Sequence, residues 1–387
     1  RTHKMSQTKV EAPFVENNNV RFKNFFINGD FMIAQRATGA TAAGDGTYTT
    51  LDRMQTYLNT TDGAYTTAQT ALSAADQATT GQVFAYDIQC TTADTSVAAG
   101  AYAMVRQRIE AQFLQSLLYG SSAAKTLTLS FYVKSNLTGT TSGCIIKHDS
   151  TSQAFLFEYT INSANTWEKK TIKITPPSNG GTITNDNGTG FSVQWNLHVG
   201  STYLGGSNLT WDETNSYYGT TNTLNVLSST DNDLFLTGVQ LEIGDQATDF
   251  EHLPFDIQLQ RCQRYLEVIA DGRSAGTGTL SSGDSDENIG AAGVLWTTQY
   301  GYVPVRFATK KRGNAPSLFI TNDTNHFRIY NNTSYDDLST MTNAGTSSHH
   351  ALTLQLNYGS AGWTAGHSAF IRLNNAAAYI MVKDELP

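Results

Sequence analysis

Charge is what this sequence has least of. Asp, Glu, Lys and Arg make up 15% of its 387 residues, against about 25% in an ordinary globular domain. The 25 Lys and Arg are scattered among 33 Asp and Glu, for a formal net charge of −8. With no basic stripe to displace counterions from a phosphate backbone, nucleic acid is excluded as the main ligand. Cysteine is scarce too. Cys90, Cys144 and Cys262 are odd in number and far apart, which fits neither a disulfide framework nor a metal-ligand spacing. Three reduced, buried thiols are expected. No run approaches the ~18 apolar residues of a membrane-spanning helix, so no membrane insertion is expected. The N-terminal residues hold no apolar stretch of the kind a secretion signal needs. Lys383-Asp384-Glu385-Leu386 has the composition of a retention signal, but Pro387 follows it, and such a signal is read at the terminus.

Thr, Ser, Asn and Gly fill the space left by charge, with 18 Tyr and 18 Phe. β-branched and aromatic residues suit pleated surfaces, and Gly and Asn supply tight bends. Period-two alternation recurs in Leu127 to Val133, in Phe191 to Val199 and in Val239 to Ile243. Each run reads as a half-buried antiparallel strand with one face on a core and one toward water. By this parity Trp195 points inward. Gln240 and Glu242 point away from Val239 and Leu241, free to bond neighbouring strands or a subunit. Trp167 reads as the cap that closes one end of a sandwich. A short helix is expected from Ala111 to Tyr119, stopped by Gly120.

The chain divides into an extended polar arm (1–22), a strand-rich module (23–252), a short connecting helix (253–270) and a second strand-rich module (271–387). The fold class is all-β, two β-sandwiches joined by that helix. Asp256 can cap the helix, and Leu259, Cys262 and Leu266 recur at helical spacing. A helix this short is marginal alone, so its stripe needs a partner surface. That surface is either the same helix in two other chains or the chain's own sandwich. The Gly/Ser/Asp-rich stretch from Asp271 to Ile289 reads as a link open to proteases.

Three stretches carry a resemblance. Asn24-Phe25-Phe26-Ile27-Asn28-Gly29-Asp30-Phe31 runs on to Gln35-Arg36, with Asp52-Arg53 following. Leu127 to Lys134 is followed by Thr166-Trp167-Glu168. Gly238-Val239-Gln240-Leu241-Glu242-Ile243-Gly244 leads into Ala247 to Glu251 and then Gln260-Arg261-Cys262-Gln263-Arg264-Tyr265. Together, over residues 24 to 268, they resemble a widespread family of phage tail-fibre and minor virion proteins. The resemblance implies a jelly-roll like those of galactose- and carbohydrate-binding modules. It implies a place on a virion assembled in the host cytoplasm, a homotrimer, and other virion proteins and a host-surface glycan as partners. A purely structural head-decoration or tail-adaptor subunit is the rival reading. A secreted lectin comes third, disfavoured by the missing signal.

Catalytic signatures are missing: no nucleophile elbow, no metalloprotease helix and no phosphate loop. The expectation is a protein that is not an enzyme and needs no cofactor. Sugar binding calls for aromatic faces beside hydroxyl-reading polar groups. Two clusters offer this: Trp211, Asp212, Asn215, Tyr217 and Tyr218 in a polar loop, and Tyr358, Trp363 and His367 around a Gly-rich turn. Jelly-roll sugar modules carry structural Ca²⁺ near their first and last strands, which singles out Asp30 and Glu242. Asp284, Asp286 and Glu287 form a further acidic loop with oxygen ligands. His349 and His350 are adjacent, so in a strand they face opposite ways.

Overall fold

A computed structural model describes residues 22–272, 288–321, 326–331, 334–359, 362–375 and 378–387. All of the expected arm but Phe22 lies outside the described residues, as do Asp284, Asp286, Glu287 and nearly all of the expected protease-open link.

The first module begins with β1 (Thr41–Ala42), β2 (Gln55–Asn59), β3 (Ala64–Ala71), β4 (Phe84–Thr92), β5 (Tyr102–Glu110) and β6 (Leu127–Lys134). It continues with β7 (Gly139–Lys147), β8 (Gln153–Ile161), β9 (Glu168–Ile174), β10 (Thr189–Val199), β11 (Thr210–Asp212) and β12 (Asp233–Ile243). They form two six-stranded antiparallel sheets, ordered β1-β3-β4-β12-β6-β9 and β11-β8-β7-β10-β5-β2. Strand parity sets the core between them: Leu127, Leu129, Phe131 and Val133 from β6 face Phe191, Val193, Trp195 and Leu197 from β10, all fully buried. Trp195 meets Phe26 and Phe131 edge-on, at 5.9 and 5.6 Å.

The outward faces are drier than alternation predicts. Ser192, Gln194 and Asn196 are as buried as their inward neighbours, because the segment after β10 folds back over that sheet. Gln240 and Glu242 are buried as well, and their partners are local. Glu242 accepts hydrogen bonds from Gln240 Nε2 and the Thr248 amide (both 2.8 Å), and Gln240 Oε1 accepts the Glu251 amide (2.8 Å). Trp167 is not an end cap. It lies against Leu72, Ala85, Tyr132 and Phe235 on the outer side of the first sheet.

The Asn28-Gly29 turn has a physical reason. Asn28 takes a left-handed φ of 61°, and its carboxamide bonds the Ile33 amide and the Ile33 and Asp52 carbonyls. A Cβ on Gly29 would stand 2.0 Å from the Val239 carbonyl oxygen, so only glycine lets β12 pass there.

The helices depart from expectation. The stretch after β5 is a 3₁₀ turn, Ala111–Leu117, ended by left-handed Leu118 (φ 55°) rather than by Gly120. An unanticipated helix, α1 (Ala74–Thr80), is capped by the Ser73 side chain and by left-handed Gly81. Helix α2 (Phe255–Gln263) starts after Pro254 with no side-chain cap, and Asp256 sits in its first turn. It stops seven residues short of the expected 270, since Leu266–Asp271 forms a strand, β13. The stripe is correspondingly different. Cys262 packs with Ile27, Ile33, Tyr265 and Leu386, with Leu259 partly buried beside them, and Leu266 is buried as the first residue of β13. The oligomer contact expected of Leu259, Cys262 and Leu266 is corrected here, because these side chains are spent on the chain's own fold. All three cysteines are free and buried.

The second module comprises β13 with β14 (Asn288–Leu295), β15 (Tyr300–Arg306), β16 (Ser317–Ile320), β17 (Phe327–Asn331) and β18 (Ser334–Asp337). β19 (Thr340–Ser347), β20 (Ala351–Asn357), β21 (Ser368–Leu373) and β22 (Tyr379–Lys383) complete it. A three-stranded sheet, β13-β22-β16, packs on a seven-stranded one, β18-β17-β21-β14-β15-β20-β19. The residues after β22 return to the first module. Tyr48 donates to the Leu386 carbonyl (2.9 Å), while Arg36 and fully buried Arg53 converge on Glu385. Arg264 holds Glu110 with two bonds (2.7 and 2.8 Å), and Arg312 and Asn187 bond reciprocally.

Candidate functional site

The loop cluster chosen from sequence splits apart. Trp211 is stitched into β11 opposite Phe155, and its indole N–H donates to the Thr175 carbonyl (2.7 Å). Its ring meets Phe155 edge-on and closes the core margin. Asp212 organises the loop: its carboxylate accepts the Thr214, Ser216 and Tyr217 amides and the Thr214 hydroxyl. Partial burial alone would raise its pKa, but these bonds from Thr214, Tyr217 and Ser216 outweigh that and lower it. Asn215 takes a left-handed φ of 50° and donates to Ser152 Oγ. Tyr217 lies over Cys144, Ile146, Ala154 and Leu156.

Tyr218 belongs to a larger assembly that sequence reasoning missed. The loop lays it on the outer face of the second sheet. There Tyr203 stacks on it at 4.9 Å, and Tyr102 meets both rings edge-on at 5.4 and 5.3 Å. Tyr57 follows at 5.0 Å from Tyr102, and the Arg106 guanidinium lies 3.6 Å over the Tyr57 ring. Burial, then Tyr57 and Tyr203, push the Tyr218 pKa up to about 12, so the hydroxyl stays protonated at neutral pH. Strand register completes this face. Gln194 of β10 stands between Arg106 on β5 and Cys144 on β7, and Ser192 stands between Arg108 and Ile146. His148 Nε2 lies 2.8 Å from Ser192 Oγ. The outward residues of β5, Tyr102, Met104, Arg106 and Arg108, already alternate with apolar Ala103 and Val105. That alternation was the signal available in the sequence.

In the second module the expected cluster is mostly packing. Trp363 is buried in the core, donates its N–H to Asp336 Oδ2 (3.0 Å) and stacks on Tyr358 at 5.4 Å. His367 contributes its carbonyl to the Leu295 amide. The exposed aromatics lie elsewhere, on the outer face of the seven-stranded sheet. Register places Tyr335, Tyr330, Phe370 and Ala292 side by side across β18, β17, β21 and β14. The next row brings Val294 beside Tyr302, and Trp296 and Tyr300 end the β14–β15 hairpin. Trp296 is 69% exposed, Tyr335 53% and Phe370 45%. Arg328 lies 4.5 Å over the Tyr335 ring and Arg372 4.7 Å over Tyr330. Aromatic faces open to solvent beside guanidinium donors can stack on a ring and bond its hydroxyls together.

The positions singled out for Ca²⁺ serve other purposes. Asp30 Oδ1 accepts Gln258 Nε2 (2.6 Å) and ties α2 to the first turn. Both Glu242 oxygens are engaged by Gln240 and Thr248. Among the described residues no three His, Cys, Asp or Glu side chains gather as a metal site.

No protein-family model matches this sequence, and no curated protein matches it either. Several solved structures overlap it in part. A sugar-binding protein of Bacteroides thetaiotaomicron, described as putative in its own name, shares 12% identity over 57% of this chain and 100% of its own, with a TM-score of 0.33. The enzymatically active domain of tailspike protein 4 of bacteriophage CBA120 shares 15% over 50% of this chain and 19% of its own, at 0.27. The N-terminal tandem carbohydrate-binding domains of Xyn10C from Paenibacillus barcinonensis share 9% over 90% and 96%, at 0.26. Overlaps this low carry no function across.

Proposed function

We propose that this chain is a non-catalytic attachment subunit of a phage virion that holds a host-surface glycan on the outer face of its second module. The observation that carries the reading is the aromatic row of exposed Tyr335 and Phe370 on either side of half-buried Tyr330, with exposed Trp296 at the hairpin end. Strands lie ~4.8 Å apart, so the row spans roughly 10 Å of flat sheet. Pyranose rings present apolar faces to such a surface, and Arg328 and Arg372 supply donors beside it. The resemblance of residues 24 to 268 to tail-fibre proteins supports the setting on a virion. A homotrimer is the working unit in this reading, formed through surfaces other than the α2 stripe.

Affinity electrophoresis of the purified chain through gels containing host-surface polysaccharide tests this. The expected result is retardation of the wild type with no new reducing ends in the polysaccharide. The pair Trp296→Ala and Phe370→Ala should lose it by at least ~10-fold, since each stacked ring contributes about 0.5–1.5 kcal/mol beyond its buried area. Free migration of the wild type on every host polysaccharide favours the purely structural subunit, and full retention by the double variant overturns the aromatic row as the binding surface.

A further inference from the structure

The first module carries a second, independent arrangement. Arg106 and Arg108 stand two residues apart on the outward face of β5. Arg106 is 4% exposed, with Nε on Gln55 Oε1 at 2.7 Å. Arg108 is half-buried, and its Nε makes no hydrogen bond. Among the described residues neither guanidinium lies within ion-pair distance of a carboxylate, whereas buried or half-buried Arg36, Arg53 and Arg264 each do. In a chain of net charge −8, two adjacent uncompensated guanidiniums at a partly buried site are conspicuous, because a buried charge is ordinarily paired. Opposite them, Gln194 is fully buried, and its Oε1 accepts no hydrogen bond. The uncompensated pair, with Arg108 half open to solvent, calls for an oxyanion. The half-buried Tyr57 ring offers an apolar flank beside Arg106.

We infer that Arg106, Arg108 and His148 form a binding site for an acidic sugar, with the two guanidiniums holding its oxyanion. The oxyanion is a uronic-acid carboxylate or a sulfate ester; both present oxygens that a guanidinium fork grips in a bidentate manner. Charge relief is part of the binding. Burial, and then Arg108, Arg106 and Lys147, hold the His148 pKa down to about 4. A bound anion cancels much of that repulsion, so His148 reports occupancy.

Calorimetry and NMR on the full chain test the site with four probes: an oligogalacturonate, a sulfated oligosaccharide, its neutral counterpart and inorganic sulfate. One acidic oligosaccharide should bind with an affinity that falls with salt and should move the His148 titration upward from about 4. Whichever acidic probe does so identifies the oxyanion. Arg108→Gln should weaken it at least ~10-fold, the scale of one charge-assisted bond, at an unchanged melting temperature. Arg108→Lys should recover part of the loss. Equal binding of the neutral probe, an unshifted His148 with both acidic probes, or undiminished binding by Arg108→Gln overturns the site. Inorganic sulfate binding as tightly as the sulfated sugar overturns its assignment to sugars. The Trp296→Ala and Phe370→Ala pair leaves this binding intact, so the two surfaces fail or stand separately.

Discussion

Two guanidiniums converge on Glu385, and one of them, Arg53, has no exposed surface at all. Burial works against the charge on Arg53, yet Glu385, Tyr265 and Tyr48 together raise its pKa. The Tyr265 ring lies 3.4 Å from the same guanidinium. Removing the carboxylate leaves a buried cation unpaired, which costs about 3–5 kcal/mol where such pairs have been broken. Glu385→Ala should therefore lower the urea midpoint of the whole chain sharply, with Glu385→Gln in between. Equilibrium unfolding followed by tryptophan fluorescence measures it, and an unmoved midpoint would mean that solvent reaches Arg53. Single residues were only partly legible beforehand. Trp195 was assigned to the core from parity alone, because alternation fixes which way a strand side chain points. Trp211 and Trp363 looked free because their neighbours in sequence are polar, but each indole N–H had a distant partner that no local pattern reveals.

The loop from Gly200 to Asn225 decides what the second sheet's outer face is. It lays Tyr203, Tyr217 and Tyr218 over β7, β5 and β2 and turns an expected wet face into a dry one. Asp212 is its staple, accepting the Ser216 and Tyr217 amides at 2.6 and 3.0 Å. Asp212→Ala should loosen this loop by about 1–2 kcal/mol, the net worth of a few partly exposed hydrogen bonds. Hydrogen exchange at Ser216 and Tyr217 should then quicken ~10-fold while amides of β10 are unaffected. Uniform acceleration across β10 would place the staple in the global fold instead. Strands were the readable elements. Helices were read less well, since seven-residue α1 and the 3₁₀ turn are too short to show a period and depend on Ser73, Gly81 and Leu118 at their ends.

At the scale of the molecule, the two modules are clasped rather than strung. β13 precedes residues 273–287 in the chain but pairs with β22, beyond them, and the tail after β22 plugs into the first module. A specific protease site inserted between residues 272 and 288, once cut, should yield two pieces that coelute in native gel filtration and part only in denaturant. Separation of the pieces in native buffer would show that β13 and the tail contribute little.

Composition and period determined the all-β class, the division into two sandwich-bearing parts and the core-facing sides of β6, β10 and β12. Those properties follow from residue type and from neighbours two positions apart, which is local information. Tertiary structure alone decided the rest: that α2's stripe faces Ile27 and Ile33, that Glu385 meets Arg53 across 332 positions of sequence, and that Arg106 and Arg108 share a face with Gln194. Such meetings depend on strand order and on how loops fold back, and no spacing along the chain encodes which distant groups will arrive at one place.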